Sequence, residues 1–196
     1  MATRATLTRE DWIDAAQRTL VKSGVDAVRV DVLAKELQIT RGSFYHHFNS
    51  RDELLDGLLA QWRIRATERV ITQLTGAYLP VRDQLVALLE LPLHGNRAQE
   101  AASIEIGIRA WARRDARARQ AIDEVDSHRL RYIEGLLTQL GGADSEARDR
   151  ARLIYGYQLS LSLINAESSD LDEERNATTA RIAKIVLPSL FERAVV

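Results

Sequence analysis

Residues 28–55, VRVDVLAKELQITRGSFYHHFNSRDELL, divide into a short helix, a tight turn and a second short helix opening at Thr40-Arg41-Gly42-Ser43. Val30, Leu33, Ala34 and Leu37 recur at helical spacing and give the first helix one narrow apolar face. Ile39 is placed to plug the turn, and Thr40 to N-cap the second helix by accepting from the Ser43 amide. Phe44 and Phe48, about one turn apart, face inward as that helix's anchors. Arg41, Gly42, Ser43, Tyr45 and His46 are left on the outer, N-terminal side, where a helix end already favours anions. Two short helices joined by a tight turn form the helix-turn-helix unit, whose second helix enters the DNA major groove. The outward residues suit that task. Arg41 can fork onto guanine O6 and N7, and Ser43 is a tolerant hydrogen-bonder. Gly42 lets a backbone approach closely, and Tyr45 suits a phosphate better than a base.

The flanking segments agree. Leu7-Thr8-Arg9-Glu10-Asp11-Trp12 reads as a helix start, with Thr8 as cap, Asp11 reaching back and Leu7 stapled against Trp12. That helix carries Ile13, Ala16 and Leu20 on one face and stops near Ser23-Gly24. Ser50-x-x-Glu53 has the form of a capping box, opening a helix with Leu54, Leu55, Leu58, Leu59 and Trp62. The pattern predicts that it persists to about Leu74 and joins a DNA-binding head to a body.

Ala34, Ile39-Thr40-Arg41-Gly42-Ser43, Phe44-Tyr45-His46-His47-Phe48 and Ser50-Arg51-Asp52-Glu53-Leu54-Leu55 resemble the N-terminal signature of the tetracycline-repressor (TetR) family of bacterial transcription regulators. The resemblance implies that Thr40, Arg41, Gly42, Ser43 and Tyr45 contact DNA. It places His46 at a variable, specificity-setting position and His47 at the family's usual histidine near the backbone. Arg51 stands where the family usually has a phosphate-binding lysine. The chain departs from the pattern twice. Gln38 replaces the usual turn glycine, so a left-handed conformation there carries strain. Arg29-Val30-Asp31 replaces the usual threonine opening of the first helix. Arg29 and Val30 then join the DNA-facing set, with Arg29 supplying a phosphate contact and Asp31 repelling one.

Composition sets bounds. With 196 residues the chain can bury a real core. A net charge of −1 excludes a polycation that coats any nucleic acid, so DNA affinity must come from placed contacts and dimer geometry. The absence of cysteine excludes disulfides and thiolate metal sites and suits the cytoplasm. No apolar run approaches a membrane span, and MATRATLTRED lacks a signal-peptide core. No membrane partner is expected.

Beyond Thr75-Gly76 the chain reads as further helices. Residues 80–91 open on a helix-compatible proline and end at Pro92. Leu93-His94-Gly95-Asn96 reads as a loop, followed by a helix with Ile104, Ile106, Ile108 and Trp111. Asp115 caps a long amphipathic helix ending at Leu140-Gly141-Gly142. No strand alternation or internal repeat appears in the pattern. The expected class is all-α: a three-helix helix-turn-helix head, residues 1–50, and a helical effector-binding and dimerisation domain, residues 51–196.

Residues 152–166 are apolar nearly all round, so that helix needs cover on more than one side. A polar loop at 167–175 is expected before a last amphipathic helix, which Pro188 kinks or ends. The two helices either close the monomer's core or form an association surface. The second reading assigns Leu153, Gly156, Tyr157, Ser160, Ile164, Ile182, Ile185, Val186 and Leu190 to a homodimer interface. The TetR resemblance implies a four-helix dimer bundle at this place.

The same resemblance implies a ligand pocket among the middle helices. Candidate linings are Trp62, His94, Trp111, His128, Tyr132, Tyr155, Gln158 and Asn165, against the alternative that the aromatics are ordinary core. Such a lining suits a hydrophobic or amphipathic small molecule. No cofactor, metal site or catalytic residue is expected. Ser43, His46 and His47 share a helical turn but have no oxyanion site or orienting carboxylate in the pattern. His46-His47 lacks the spacing of a helical zinc site, and there is no glycine-rich phosphate loop. The arginines at 109, 113, 114, 117 and 119 read as a solvated surface rather than an anion site. The expectation is a ligand-responsive regulator, a repressor released from a near-palindromic operator by a small molecule. The alternative is an all-α ligand-binding or adaptor protein using the helix-turn-helix for other contacts.

Overall fold

The computed structural model describes residues 7–91, 95–163 and 170–186. Every regular element among them is helical, as the class requires: α1 (Arg9–Ser23), a 3-10 turn (Val25–Ala27), α2 (Val30–Glu36), α3 (Arg41–Phe44), α4 (Arg51–Arg63), a π-helical segment (Ile64–Glu68), α5 (Arg69–Gly76), α6 (Val81–Glu90), α7 (Gly95–Trp111), α8 (Ala116–Gln139), α9 (Asp144–Leu163) and α10 (Asp170–Val186).

The chain splits into two compact units. The first comprises residues 1–66 and 103–123, the second 67–102 and 124–196. The first crossing of the chain falls inside the π-helical segment, where the ladder of α4 is interrupted. The helix expected to persist to about Leu74 does run as one helical stretch from Arg51 to Gly76, with the π turn set between α4 and α5. π turns insert one extra residue per hydrogen-bonded ring and concentrate at functional positions.

In the first unit α1 packs against α4, the 3-10 turn and α2, and α2 packs against α3. Thr8 and Asp11 form the full capping box, the Thr8 N–H donating to the Asp11 carboxylate at 2.7 Å. Gly24 ends α1 at φ +80°, a region that L side chains avoid. Trp12, Leu33, Phe44, Leu54 and Leu58 are fully buried here, so the periodic residues of the sequence do build the core. The Ser50 cap is only half of the expected box. Its hydroxyl accepts the Glu53 amide, but the Glu53 carboxylate reaches past Ser50 to the Asn49 N–H at 2.8 Å.

In the second unit α6 packs against α5 and α10, and α10 against α9. Leu85, Leu89, Ile133, Leu136, Ala151, Ile154 and Tyr155 form its core. Three sequence expectations need correction. Gly95 and Asn96 begin α7 rather than extending a loop. The apolar stretch from Arg152 is the second half of α9, which starts at Asp144. Residues 170–175 belong to α10, because a polar first turn satisfies the helix N-terminus as well as a loop does. His94, Ile164, Asn165, Pro188 and Leu190 lie outside the described residues, as does the Val186 side chain. No helix of the described residues is long and apolar enough to cross a membrane.

Candidate nucleic-acid interface

The α2–α3 unit is held from below by aromatic packing. Phe44 and Phe48 stack at 5.3 Å between centroids, and Trp12 of α1 meets Phe44 edge-on at 5.2 Å. Phe44 is 0% and Phe48 2% exposed, so α3 is anchored on one face only. After Phe44 the chain continues for one tighter turn, with the Tyr45, His46 and His47 amides donating to the carbonyls of Gly42, Ser43 and Phe44.

The connecting turn takes the strained form. Gln38 adopts φ +57°, and the Ile39 amide closes back on the Ala34 carbonyl at 3.0 Å. Thr40 does not cap α3 through its side chain. Its backbone carbonyl accepts the Ser43 amide at 3.1 Å, which leaves the hydroxyl outward and exposed.

The outer face is open. Arg41, Gly42, Tyr45 and His46 are exposed, while Ser43 and His47 are half-buried. Tyr45 is 59% exposed with its ring perpendicular to Phe44, which fixes the ring and leaves the hydroxyl to solvent. A Cβ at Gly42 would meet nothing nearer than the Thr40 hydroxyl at 3.8 Å. The fold therefore does not require glycine there.

The remaining predicted contacts are engaged otherwise. Arg29 pairs through two nitrogens with Asp31, at 3.1 and 3.0 Å, which neutralises both at the start of α2. Val30 is half-buried beside them. Arg51 turns inward, its Nε donating to the Val28 carbonyl at 2.6 Å and an Nη to Val25 at 2.7 Å.

Arg9 was missed by sequence reasoning. Its guanidinium lies 4.1 Å from the Phe48 ring centroid and donates to the His47 carbonyl at 2.6 Å and to Glu53 at 2.9 Å. A lone arginine at the first position of a helix carries no periodic signal, and only the tertiary approach of α1 to α4 reveals its role. The Asn49 N–H, Arg9 and the Asn49 amide hold the Glu53 carboxyl below the ordinary glutamate range. On α1, the Thr8 amide and hydroxyl do the same for Asp11.

A second set of contacts braces the first unit. Arg117 reaches Asp52 and Asp56 of α4, each at 3.3 Å, and Arg114 reaches Asp26 at 2.7 Å. Asp115 caps α8 through the Arg117 and Ala118 amides. Burial pushes its carboxyl up, but hydrogen bonds from Arg117, the Ala118 amide and the Trp111 side chain outweigh it and hold the pKa low. The arginine run is thus mostly an ion-pair lattice, with Arg109 on Glu105 at 2.8 Å and Arg119 on Asp123 at 4.0 Å.

The predicted pocket residues divide between the units. Trp62 and Trp111 belong to the first, both 3% exposed. The Trp62 indole nitrogen is buried without an acceptor among the described residues. In the second, Tyr155 donates to Asp126 at 2.6 Å and accepts from Arg129, whose Nε reaches Thr67. Tyr132 bonds Gln84, and Gln158 donates to the Leu88 carbonyl at 2.8 Å. His128 is half-buried. Of the proposed interface residues, Tyr157 bonds Thr179 and Ser160 bonds the Tyr157 carbonyl, while Ile182 is half-buried. Gly156 is exposed, Leu153 is 62% exposed and Ile185 73%.

Two short helices joined by a tight turn, with the second open on its outer side, are the arrangement of helix-turn-helix DNA readers. Residues 13–58 match the sequence model described as "Bacterial regulatory proteins, tetR family". The HTH-type transcriptional regulator SrpR of Pseudomonas putida is 41% identical over 59 residues, covering 30% of this chain and 28% of that protein. The match thus spans less than one-third of that relative's length. A transcriptional regulator of Saccharomonospora viridis, solved in complex with choline, superposes with a TM-score of 0.74 at 18% identity, over 90% of this chain and 95% of its own. Bacillus subtilis FadR, solved in complex with stearoyl-CoA, gives 0.65 at 20% identity, over 88% and 96%. Over residues 13–58 the chain is thus similar to the tetR family of bacterial regulatory proteins.

Proposed function

We propose that this chain is a ligand-responsive, DNA-binding transcription regulator of the cytoplasm, acting as a homodimer. The observation that carries the reading is the one-sided construction of α3. Arg41, Ser43, Tyr45 and His46 stand outward over an aromatic floor, and Gly42 occupies a place where the fold has room for a side chain. DNA reading is assigned to residues 1–50, effector binding and association to 51–196. Arg41 and His46 read bases, Tyr45 and Thr40 hold phosphates, and Gly42 admits the backbone. Two heads then occupy successive major grooves of a near-palindromic operator.

Exposed Leu153, Leu163 and Ile185 support association through α9 and α10. Structural neighbours solved with choline and with stearoyl-CoA support a small-molecule effector, as does the unsatisfied Trp62 indole. Release of a repressor requires that the effector bind the DNA-incompetent state more tightly, since equal affinity shifts nothing. The groups involved bind and orient; no nucleophile–base pair is assigned.

Selection from a random duplex pool at near-physiological salt tests the reading. The expected result is an enriched palindrome, lost in Tyr45→Ala and altered at one base position in His46→Ala. Sequence-blind retention by the wild-type protein, or an unchanged motif and affinity in both variants, would overturn it.

A further inference from the structure

We propose that the first unit carries a second small-molecule site, for an amphipathic organic anion, in the groove between the C-terminal end of α1 and α7. The groove, open to solvent along one side, offers about 700 Å³, within the range of small-ligand clefts. One wall is the last turn of α1 and the residues after it, with Leu20, Val21 and Val25. The other is α7, where Ser103, Ile106, Gly107 and Ala110 recur on one helical face and Trp111 lies one turn beyond Gly107.

Two glycines shape it. A Cβ at Gly107 would approach Leu20 Cγ at 3.2 Å, so its absence lets the walls meet along the floor. Gly24 turns the chain out of α1 at φ +80° with open space on its Cβ side. Val21 and Ile106 remain 43% and 37% exposed, leaving apolar surface uncovered in the groove.

The charge at one end selects the ligand. Arg113 and Arg114 line the groove just beyond the C-terminus of α7. Arg114 is paired with Asp26, whereas Arg113 is exposed and has no acidic partner among the described residues. An apolar trough ending at an unpaired guanidinium fits a carboxylate carrying a medium-length hydrocarbon chain. Of the residues predicted to line the effector pocket, only Trp111 also lines this groove, whose other walls come from α1 and the exposed side of α7. A ligand seated here touches both α1, which packs on α2 and α4, and α7.

The test is quenching of tryptophan fluorescence in the full chain by ω-bromooctanoate and by the corresponding bromo-alcohol, since Trp111 lines the groove. Saturable quenching is expected, with the acid bound about tenfold more tightly than the alcohol. Arg113→Met should erase that preference. Ala110→Phe, at an exposed position, should fill the trough and abolish quenching without lowering the melting temperature. Trp111→Phe should lose the quenching while calorimetry still records octanoate binding. Equal affinity for acid and alcohol, undiminished binding in Ala110→Phe, or quenching that survives in Trp111→Phe would each overturn the site.

Discussion

The Arg51 guanidinium donates to the Val28 carbonyl at 2.6 Å and, through a second nitrogen, to Val25, tying the start of α4 to the turn that precedes α2. Backbone carbonyls between short elements need partners, and a charged donor is a strong one. Arg51→Met is expected to lower the stability of the chain by about 2 kcal/mol, read as a drop in melting temperature. The salt dependence of DNA binding should not change. A slope shallower by about one would mean that Arg51 also neutralises a phosphate.

Gly42 separates the demands of folding from those of binding. Its Cβ position is open, and alanine favours a helix over glycine by about 1 kcal/mol. Gly42→Ala should therefore keep or slightly raise the melting temperature while weakening operator binding by tenfold or more, about 1.4 kcal/mol. Retention of full affinity, measured by fluorescence anisotropy on the selected duplex, would remove the backbone approach from the contact assignment.

The helix-turn-helix was legible because its signals are local. The Thr8 box, the Phe44–Phe48 spacing and the left-handed turn at Gln38 each lie within a few residues. Long-range choices were not legible. Arg51 reads as a phosphate donor until the fold places the carbonyls of Val25 and Val28 beside it. Glu53 could cap Ser50 or reach Asn49, and Arg9 across the gap tips the choice. In the body, polar residues 170–175 fit a loop or a first helical turn equally, and only packing of α10 on α6 and α9 decides.

Glu53 sets an acid limit on the head. Its folded pKa lies below the unfolded value because the Asn49 N–H, Arg9 and the Asn49 amide favour the carboxylate. The stabilisation is complete above the ordinary glutamate range and is lost as pH falls through the lowered folded value. Between about pH 6 and about pH 3 the wild-type melting temperature should fall more than that of Glu53→Gln, whose amide cannot pair with Arg9 as an anion. Parallel curves for the two proteins would show that Glu53 contributes nothing to the acid limb.

Leu153 and Ile185 present bare aliphatic surface on the helices proposed to associate, at 62% and 73% exposure. Because neither is needed inside its own chain, Leu153→Glu with Ile185→Glu should leave the monomer folded, with helical circular dichroism unchanged. Covering one such side chain in an interface stabilises it by about 1.5–3 kcal/mol. The pair should therefore weaken the dimer by about a hundredfold or more, to monomer at micromolar concentration in sedimentation velocity. Operator affinity should fall with it, since one head alone contacts half of the palindrome. A double variant that still sediments as a dimer would place the interface on another face.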